Sequence, residues 1–241
     1  MTFIQQWQTG GGGGGGRAQH LDTTYDPIAL YKLDGNVSDS SDSGFNDLTV
    51  IGNERYADVG LGLRGFFFDG SSSLELASSE AILQITGDLT IECIVTINMN
   101  TAAGQLLVYH AATGETEATN VLYQITALQT TNQMDYFAEY GVGSNINYSA
   151  GACFTAGEAM LLGVVRSSNN VTFYVNGLQI GDASSGLVAP TGGGDGTLKI
   201  GSAYIEGGAI CSVKILNTAL TADQMKAEFN RSLGPVLGEL P

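Results

Sequence analysis

The chain has 241 residues, 43% of them apolar, with nine Lys and Arg against 24 Asp and Glu and a formal net charge of -15. That length suits one large all-β domain, which buries enough surface to fold without disulfide or metal staples. The acidic balance repels phosphate backbones and anionic lipid, which excludes nucleic acid and membrane partners. No apolar run reaches the ~20 residues of a membrane span, and no basic, apolar signal segment opens the sequence.

The chain begins MTFIQQWQ, which holds the only tryptophan, Trp7, together with Phe3 and Ile4, and continues through seven consecutive glycines, Gly10–Gly16. Glycine loses the most backbone entropy on ordering and has no side chain to bury. The run therefore reads as a tether that reaches about 14 Å as a coil and up to ~25 Å when stretched. The phosphate-loop pattern G-x-x-x-x-G-K-[ST] is absent. The chain divides into an apolar anchor peptide at 1–9, a glycine-rich tether at 10–27, a globular domain at 28–231 and a C-terminal tail at 232–241. Phe3, Ile4 and Trp7 are the expected partner-binding residues.

Beyond the tether, strands are predicted over 28–33, 65–70, 105–110, 121–126, 134–140, 160–165, 197–201 and 209–216, between clusters of Gly, Ser, Asn and Asp. The clearest strand is Leu89–Ile97. Its alternation puts Leu89, Ile91, Cys93, Val95 and Ile97 on one face and Thr90, Glu92, Ile94 and Thr96 on the other. That is the pattern of a half-buried strand. Asn176-Gly177, between strands at 171–175 and 178–180, predicts a type I′ hairpin. One helix is predicted over about 222–231, capped by Thr221 with Gln224 three residues on, stapled by Leu220 and Met225, and ending before Gly234-Pro235. Many strands and one late helix predict an all-β fold, a two-sheet antiparallel jelly-roll sandwich with one short C-terminal helix and an extended N-terminal arm. Cys93, Cys153 and Cys211 are odd in number and widely spaced, and read as small buried hydrophobes.

Two stretches carry chemistry that a ligand could use. Asp34, Asn36, Ser38, Asp39, Asp42 and Asp47 crowd one loop, and hard cations such as Ca2+ take oxygen ligands. Asp39 and Asp42 are the expected metal ligands; the alternative is a set of plain Asx-turns. The loop is no EF-hand, because its sixth position is Asp39 and its twelfth is Phe45. No other cofactor is expected. Sugar binding needs exposed rings, for which Tyr136, Tyr140, Tyr148 and also Tyr174 are candidates, against the alternative that MDYFAEY sends one of its rings into the core.

Four segments in order resemble the laminin-G-like branch of the concanavalin A-like lectin/glucanase family. They are ALYKLDGNVSDSSDSGFNDLTVIG (29–52), LRGFFFDGSSSLELASSEAILQITGDLTIECIVTIN (63–98), NNVTFYVNGLQIG (169–181) and GSAYIEGGAICSVKILNTALTADQM (201–225). The resemblance implies two antiparallel sheets and a choice of glycan binding, protein adhesion or glucan hydrolysis. The hydrolytic branch places Glu-x-Asp-x-x-Glu on one strand face beneath the scissile bond. No Glu-x-Asp and no G-x-S-x-G elbow occur here, and there are only two histidines, so no enzymatic activity is expected. The chain departs from the family pattern at Ile94, where a tryptophan is usual, at 158–164, which lacks the usual Trp and His, and at Ile210-Cys211, where Ile-Asp is common.

An acidic lectin-like jelly roll behind an anchor peptide also resembles bacteriophage virion surface proteins. That resemblance implies a structural role on the virion surface as a capsid decoration protein, head fibre or adhesin, synthesised in the host cytoplasm without a signal peptide. Residues 1–20 would then attach to capsid or tail proteins, with the copies forming a homo-oligomer or lattice. The alternative is a carbohydrate-binding module or adhesin that recognises a cell-surface glycan.

Overall fold

The structure, a computed structural model, describes residues 17–42, 46–76, 83–97, 104–111, 121–128, 131–139, 145–149, 151–152, 155–185, 196–201 and 205–241. In chain order the strands are β1 (Ala29–Lys32), β2 (Thr49–Ile51), β3 (Tyr56–Gly60), β4 (Leu63–Asp69), β5 (Ser73–Leu76), β6 (Leu89–Thr96), β7 (Gln105–Ala111), β8 (Val121–Leu128), β9 (Gln133–Glu139), β10 (Asn145–Ser149), β11 (Ala159–Ser167), β12 (Asn170–Val175), β13 (Leu178–Ser185), β14 (Thr197–Ile200) and β15 (Glu206–Leu216). Helices α1 (Ala222–Ser232) and α2 (Gly234–Leu237) follow. A larger sheet of eight strands has the order β13-β12-β11-β6-β15-β4-β3, with β1 added beside β15; a smaller sheet of seven runs β10-β9-β8-β7-β14-β5-β2. All pairings are antiparallel, so the fold is a jelly-roll sandwich.

The inner faces meet in one core. Leu89, Ile91, Cys93, Val95 and Ile97 of the larger sheet share it with Leu107, Tyr123, Ile125, Met134 and Tyr136 of the smaller one. The alternation read in β6 thus gives the correct core face. Its other face is not solvated: β6 is buried along its whole length. Ile94 packs there with Leu161 and Cys211 beneath Leu21, Phe229 and Leu233. Thr90 Oγ1 donates to the Thr218 carbonyl at 2.7 Å and accepts from the Leu220 N–H at 3.0 Å, which pins the turn into α1. The half-buried expectation fails because an alternating pattern tells which residues share a face, not what covers it. Cys93 and Cys211 are free and buried; Cys153 lies outside the described residues.

α1 starts as predicted. The Thr221 side chain accepts from the Gln224 N–H, the Gln224 side chain accepts from the Thr221 N–H, and Leu220 packs with Met225. It ends at Ser232, but the chain then makes a second short helix, α2, with Pro235 in its first turn. Proline is tolerated there because its missing N–H would have no partner in that turn. Asn176 and Gly177 adopt φ of 50° and 76°, as the type I′ reading of the β12–β13 turn requires.

Packing and hydrogen bonds extend beyond residues 28–231 at both ends. Ala18 and Leu21 are 6% and 1% exposed. The Gln19 N–H donates to the Ser232 carbonyl at 2.9 Å, and His20 Nδ1 lies 2.9 Å from the Cys211 carbonyl. At the other end, the Leu240 N–H donates to Asn230 Oδ1 at 2.8 Å and the Asn230 amide returns a bond to the Leu240 carbonyl at 3.0 Å. The described segment from Ala18 and the chain end therefore roof the outer face of the larger sheet. The outer face of the smaller sheet has no such roof among the described residues.

Candidate functional site

On the outer face of the smaller sheet, the registers of six strand pairings line up one row of residues. Thr49 pairs with Glu75, Glu75 with Lys199, Lys199 with Tyr109, Tyr109 with Gln124, Gln124 with Phe137 and Phe137 with Asn147. Neighbouring strands are ~4.8 Å apart, so the row spans about 29 Å, the length of several sugar rings. The outward parity follows from what faces inward. In β9, Met134, Tyr136 and Ala138 are buried in the core, which leaves Asp135 and Phe137 outside. Phe137 and Leu106 pack partly buried against Tyr109 and Val121, a small apolar cluster separate from the main core. Gln124 Nε2 donates to Thr126 Oγ1 at 2.9 Å, and Lys199 Nζ lies 3.4 Å from Glu75 Oε1. The face thus offers a partly exposed ring beside the Gln124 amide and the Thr126 hydroxyl, with one cation held against one carboxylate.

The residues singled out in the sequence are placed differently. Tyr136 is 0% exposed, and its hydroxyl accepts from Arg166 Nη1 at 2.9 Å. It has no ring face for a sugar, which corrects its assignment as a ligand residue. Tyr174 is 5% exposed and packs with Leu216 and Met225. Tyr140 lies outside the described residues; of Tyr148, only the backbone in β10 is described, paired in register with Tyr136. Phe3, Ile4 and Trp7 lie outside the described residues. Phe137, the neighbour of Tyr136, is the partly exposed aromatic of the outer row, beside the buried Tyr109, and the sequence reading missed it.

Asp39 is likewise a structural residue. Its Oδ1 accepts from the Leu30 and Ser41 N–H groups at 3.0 and 2.9 Å, and its Oδ2 accepts from the Asn46 amide at 2.9 Å. Its own N–H donates to Asp47 Oδ1 at 2.8 Å. Both carboxylate oxygens are therefore engaged by N–H donors within the described part of the loop, the pattern of Asx-turns. Asp42 is exposed. Among the described residues, no group of three or more His, Cys, Asp or Glu is arranged to hold a metal ion.

Two buried polar constructions were not anticipated. Arg166, 1% exposed, donates to the carbonyls of Gly87, Leu122 and Ile85 and to Tyr136, joining both sheets and the segment before β6. On the other side of the larger sheet, Lys214 donates to Glu228 at 2.9 Å, and Arg231 also bonds Glu228. Glu92 stands opposite Lys214 in register, with no hydrogen-bond partner for either carboxylate oxygen. Burial, reinforced by the charge of Glu228, pushes the Glu92 carboxyl up to about 8. α1 covers this group, so it is part of the framework and offers no opening to a substrate. A cavity of about 350 Å³ at the ends of β11 and β12 has Met160, Val175 and Ile180 among its lining, with Asn176 at its edge. The Asn176 side-chain oxygen Oδ1 already accepts from the Leu161 N–H.

Residues 68–226, well over half of the chain, match the laminin-G family described as the concanavalin A-like lectin/glucanases superfamily. The chain belongs to the concanavalin A-like lectin/glucanase superfamily. Solved members with this fold are distant in sequence. The binding domain of Paraclostridial mosquitocidal protein 1 superposes with a TM-score of 0.65 at 14% identity, over 85% of this chain and 52% of that one. The binding domain of botulinum neurotoxin DC, solved in complex with rat synaptotagmin II, gives 0.63 at 13% identity over 85% and 51%. Domain 4 of AbnA, an extracellular arabinanase from Geobacillus stearothermophilus, solved with arabinotriose, gives 0.63 at 16% identity over 84% and 98%. The superfamily member described here thus spans about half the length of the toxin binding domains and nearly all of the arabinanase domain. No curated protein sequence matches it significantly.

Proposed function

We propose that this protein is a non-enzymatic carbohydrate-binding domain that takes an oligosaccharide across the outer face of its smaller sheet. The observation that carries this reading is the cross-sheet row, with Phe137 between Gln124 and Asn147 in register. A partly exposed ring supplies a stacking surface, and the neighbouring Gln124 amide and Thr126 hydroxyl suit sugar hydroxyl groups. Sugar or receptor complexes among fold relatives, such as the arabinotriose-bound arabinanase domain, lend the reading support. The acids argue against hydrolysis. Glu75 and Asp135 are the carboxylates on this face whose side chains are described, and β5 and β9 lie four strand steps apart, about 19 Å, whereas a glycosidase pair needs ~5–10 Å.

The test is affinity electrophoresis in gels containing arabinan, xylan or β-glucan, with and without Phe137→Ala. Retardation by at least one polysaccharide, reduced about tenfold or more in the variant without loss of thermal stability, supports the reading. No retardation, or retardation indifferent to Phe137→Ala, refutes it; release of reducing sugar refutes the non-enzymatic part.

Display of this domain on a larger particle, a virion among them, is a second reading. The way the chain joins the sandwich favours it: Ala18 and Leu21 dock on the larger sheet, on the side away from the row. Deletion of residues 1–16 spares those contacts. It should abolish co-sedimentation with particles lacking this protein while leaving sugar retention intact; unchanged co-sedimentation would remove the anchor role of Phe3, Ile4 and Trp7.

A further inference from the structure

The basic side chains of this chain can all be placed, because all nine Lys and Arg lie among the described residues. Arg17, Lys32 and Lys226 belong to the N-terminal segment, β1 and α1, on the larger-sheet side. Arg55 and Arg64 lie over the rings of Phe67 and Tyr56, beside β3 and β4. Arg166 and Lys214 are buried, and Arg231 is bound to Glu228. One cation remains for the smaller sheet, Lys199, and Glu75 holds it at 3.4 Å with the two side chains 30% and 25% exposed. Neither histidine adds positive charge: burial lowers His110 to about 4 and lowers His20 as well. Asp135 adds a carboxylate to the same face.

We propose that this face selects uncharged oligosaccharides and rejects sialylated or sulfated ones, with the Glu75–Lys199 pair as the element that sets the preference. The inference rests on the glycan reading above. An anionic sugar arriving on the row meets one cation whose partner is already in place, within the field of a chain carrying a net charge of -15. Binding it would require Lys199 to leave Glu75 and would uncover a second negative charge beside the ligand. A neutral sugar needs no such exchange and can accept and donate hydrogen bonds across the intact pair. Glu75 thus acts on specificity through Lys199.

The variant that isolates this is Glu75→Gln, which keeps the shape and frees Lys199. The pair is partly exposed, so the substitution costs little stability. Wild type, Glu75→Gln and Lys199→Gln are compared for retention on arabinan, β-glucan, immobilised heparin and immobilised sialyllactose at low salt. Wild type should be retained by a neutral polysaccharide and by neither anionic probe. Glu75→Gln should gain about fivefold in affinity for an anionic probe, a gain erased by added salt and absent from Lys199→Gln. Wild-type retention on heparin or sialyllactose equal to that on the neutral probes, or no gain in Glu75→Gln, overturns this inference and leaves the glycan reading standing. Retention by none of the probes overturns both.

Discussion

Replacing Arg166 with Met removes four hydrogen bonds in a single step. The acceptors come from separate parts of the chain: the Ile85 carbonyl at 2.8 Å and the Gly87 carbonyl at 2.7 Å before β6, the Leu122 carbonyl at 3.5 Å in β8, and the Tyr136 hydroxyl at 2.9 Å in β9. Among the described residues the buried guanidinium has no ion-pair partner, so carbonyl dipoles do the work of a counter-charge. Methionine fills much of the volume but leaves the buried Ile85 carbonyl and Tyr136 hydroxyl without this donor, at about 1–3 kcal/mol each. The desolvation cost of the lost charge offsets part of that, and the net loss should be about 3–4 kcal/mol, within the range for breaking a buried charged contact. For a chain of this size that is roughly 6–16 °C in Tm. Urea unfolding of Arg166→Met, Tyr136→Phe and the double variant provides the assay. Tyr136→Phe alone should lose about 1 kcal/mol, and the double variant should lose clearly less than the sum because the two share one bond. A loss below ~1 kcal/mol in Arg166→Met would refute the reasoning, since the carbonyls would then be satisfied without it.

Other contacts give sharper or smaller effects. Glu92 has a folded pKa of about 8 against an ordinary 4.5, so the folded state holds its proton more tightly than the unfolded one. Its contribution to stability is full below 4.5 and is lost as pH rises through about 8. Glu92→Gln should therefore gain on wild type from neutral to alkaline pH, as read by urea midpoints at about pH 6 and ~pH 9; parallel curves would show that the carboxyl does not titrate in that window. Gly177→Ala forces a side chain onto φ of 76°, and the added carbon would lie 2.8 Å from Phe229 Cβ, so a loss of about 2–3 kcal/mol is expected by thermal melt. Thr221→Ala removes one half of the capping box and should cost about 1 kcal/mol with sugar retention unchanged.

What the sequence revealed and what it hid divide along the range of the interactions. β6, the Asn176-Gly177 hairpin and the Thr221 cap rest on neighbours two to four residues away, and all three form where the local pattern puts them. β2, β3, β5 and β10 escaped because TVI, YADVG, SLEL and NINYS are too short or too polar for an alternation to register. The row on the smaller sheet has no sequence signature, because Glu75, Lys199, Tyr109, Gln124 and Phe137 become neighbours only through the registers of separate strands. The inversion in MDYFAEY is more instructive. Hydropathy favours Phe137 as the core residue, yet Tyr136 is inside. One signal was present: Arg166 sits in the apolar run MLLGVVR, and an arginine so placed needs buried acceptors, which a tyrosine hydroxyl supplies.

The unequal treatment of the two outer faces bears on how such a domain is used. On the larger sheet, Ala18, Leu21, Phe229 and Leu233 close an apolar cluster over Ile94, Leu161 and Cys211, and a polar group of Asp22, Lys214, Glu228 and Arg231 ties the N-terminal segment to α1. A ligand would have to undo a roof to bind there. On the smaller sheet, the corresponding layer among the described residues is only the small cluster of Tyr109, Val121, Leu106 and Phe137. Covering so little apolar area with a second protein layer would yield modest affinity, whereas a row of ring, amide and hydroxyl groups matches a polymer that binds weakly per unit and repeats. Repeated sites on the ligand favour several copies of the domain facing the same way, because linked weak contacts multiply. The chain meets the sandwich on the roofed side, so tethering through residues before Ala18 would orient the row outward without competing for it. The proposed sugar recognition and the proposed attachment would thereby be separable by mutation: substitutions at Phe137 should weaken only the first, and substitutions at Phe3, Ile4 and Trp7 only the second.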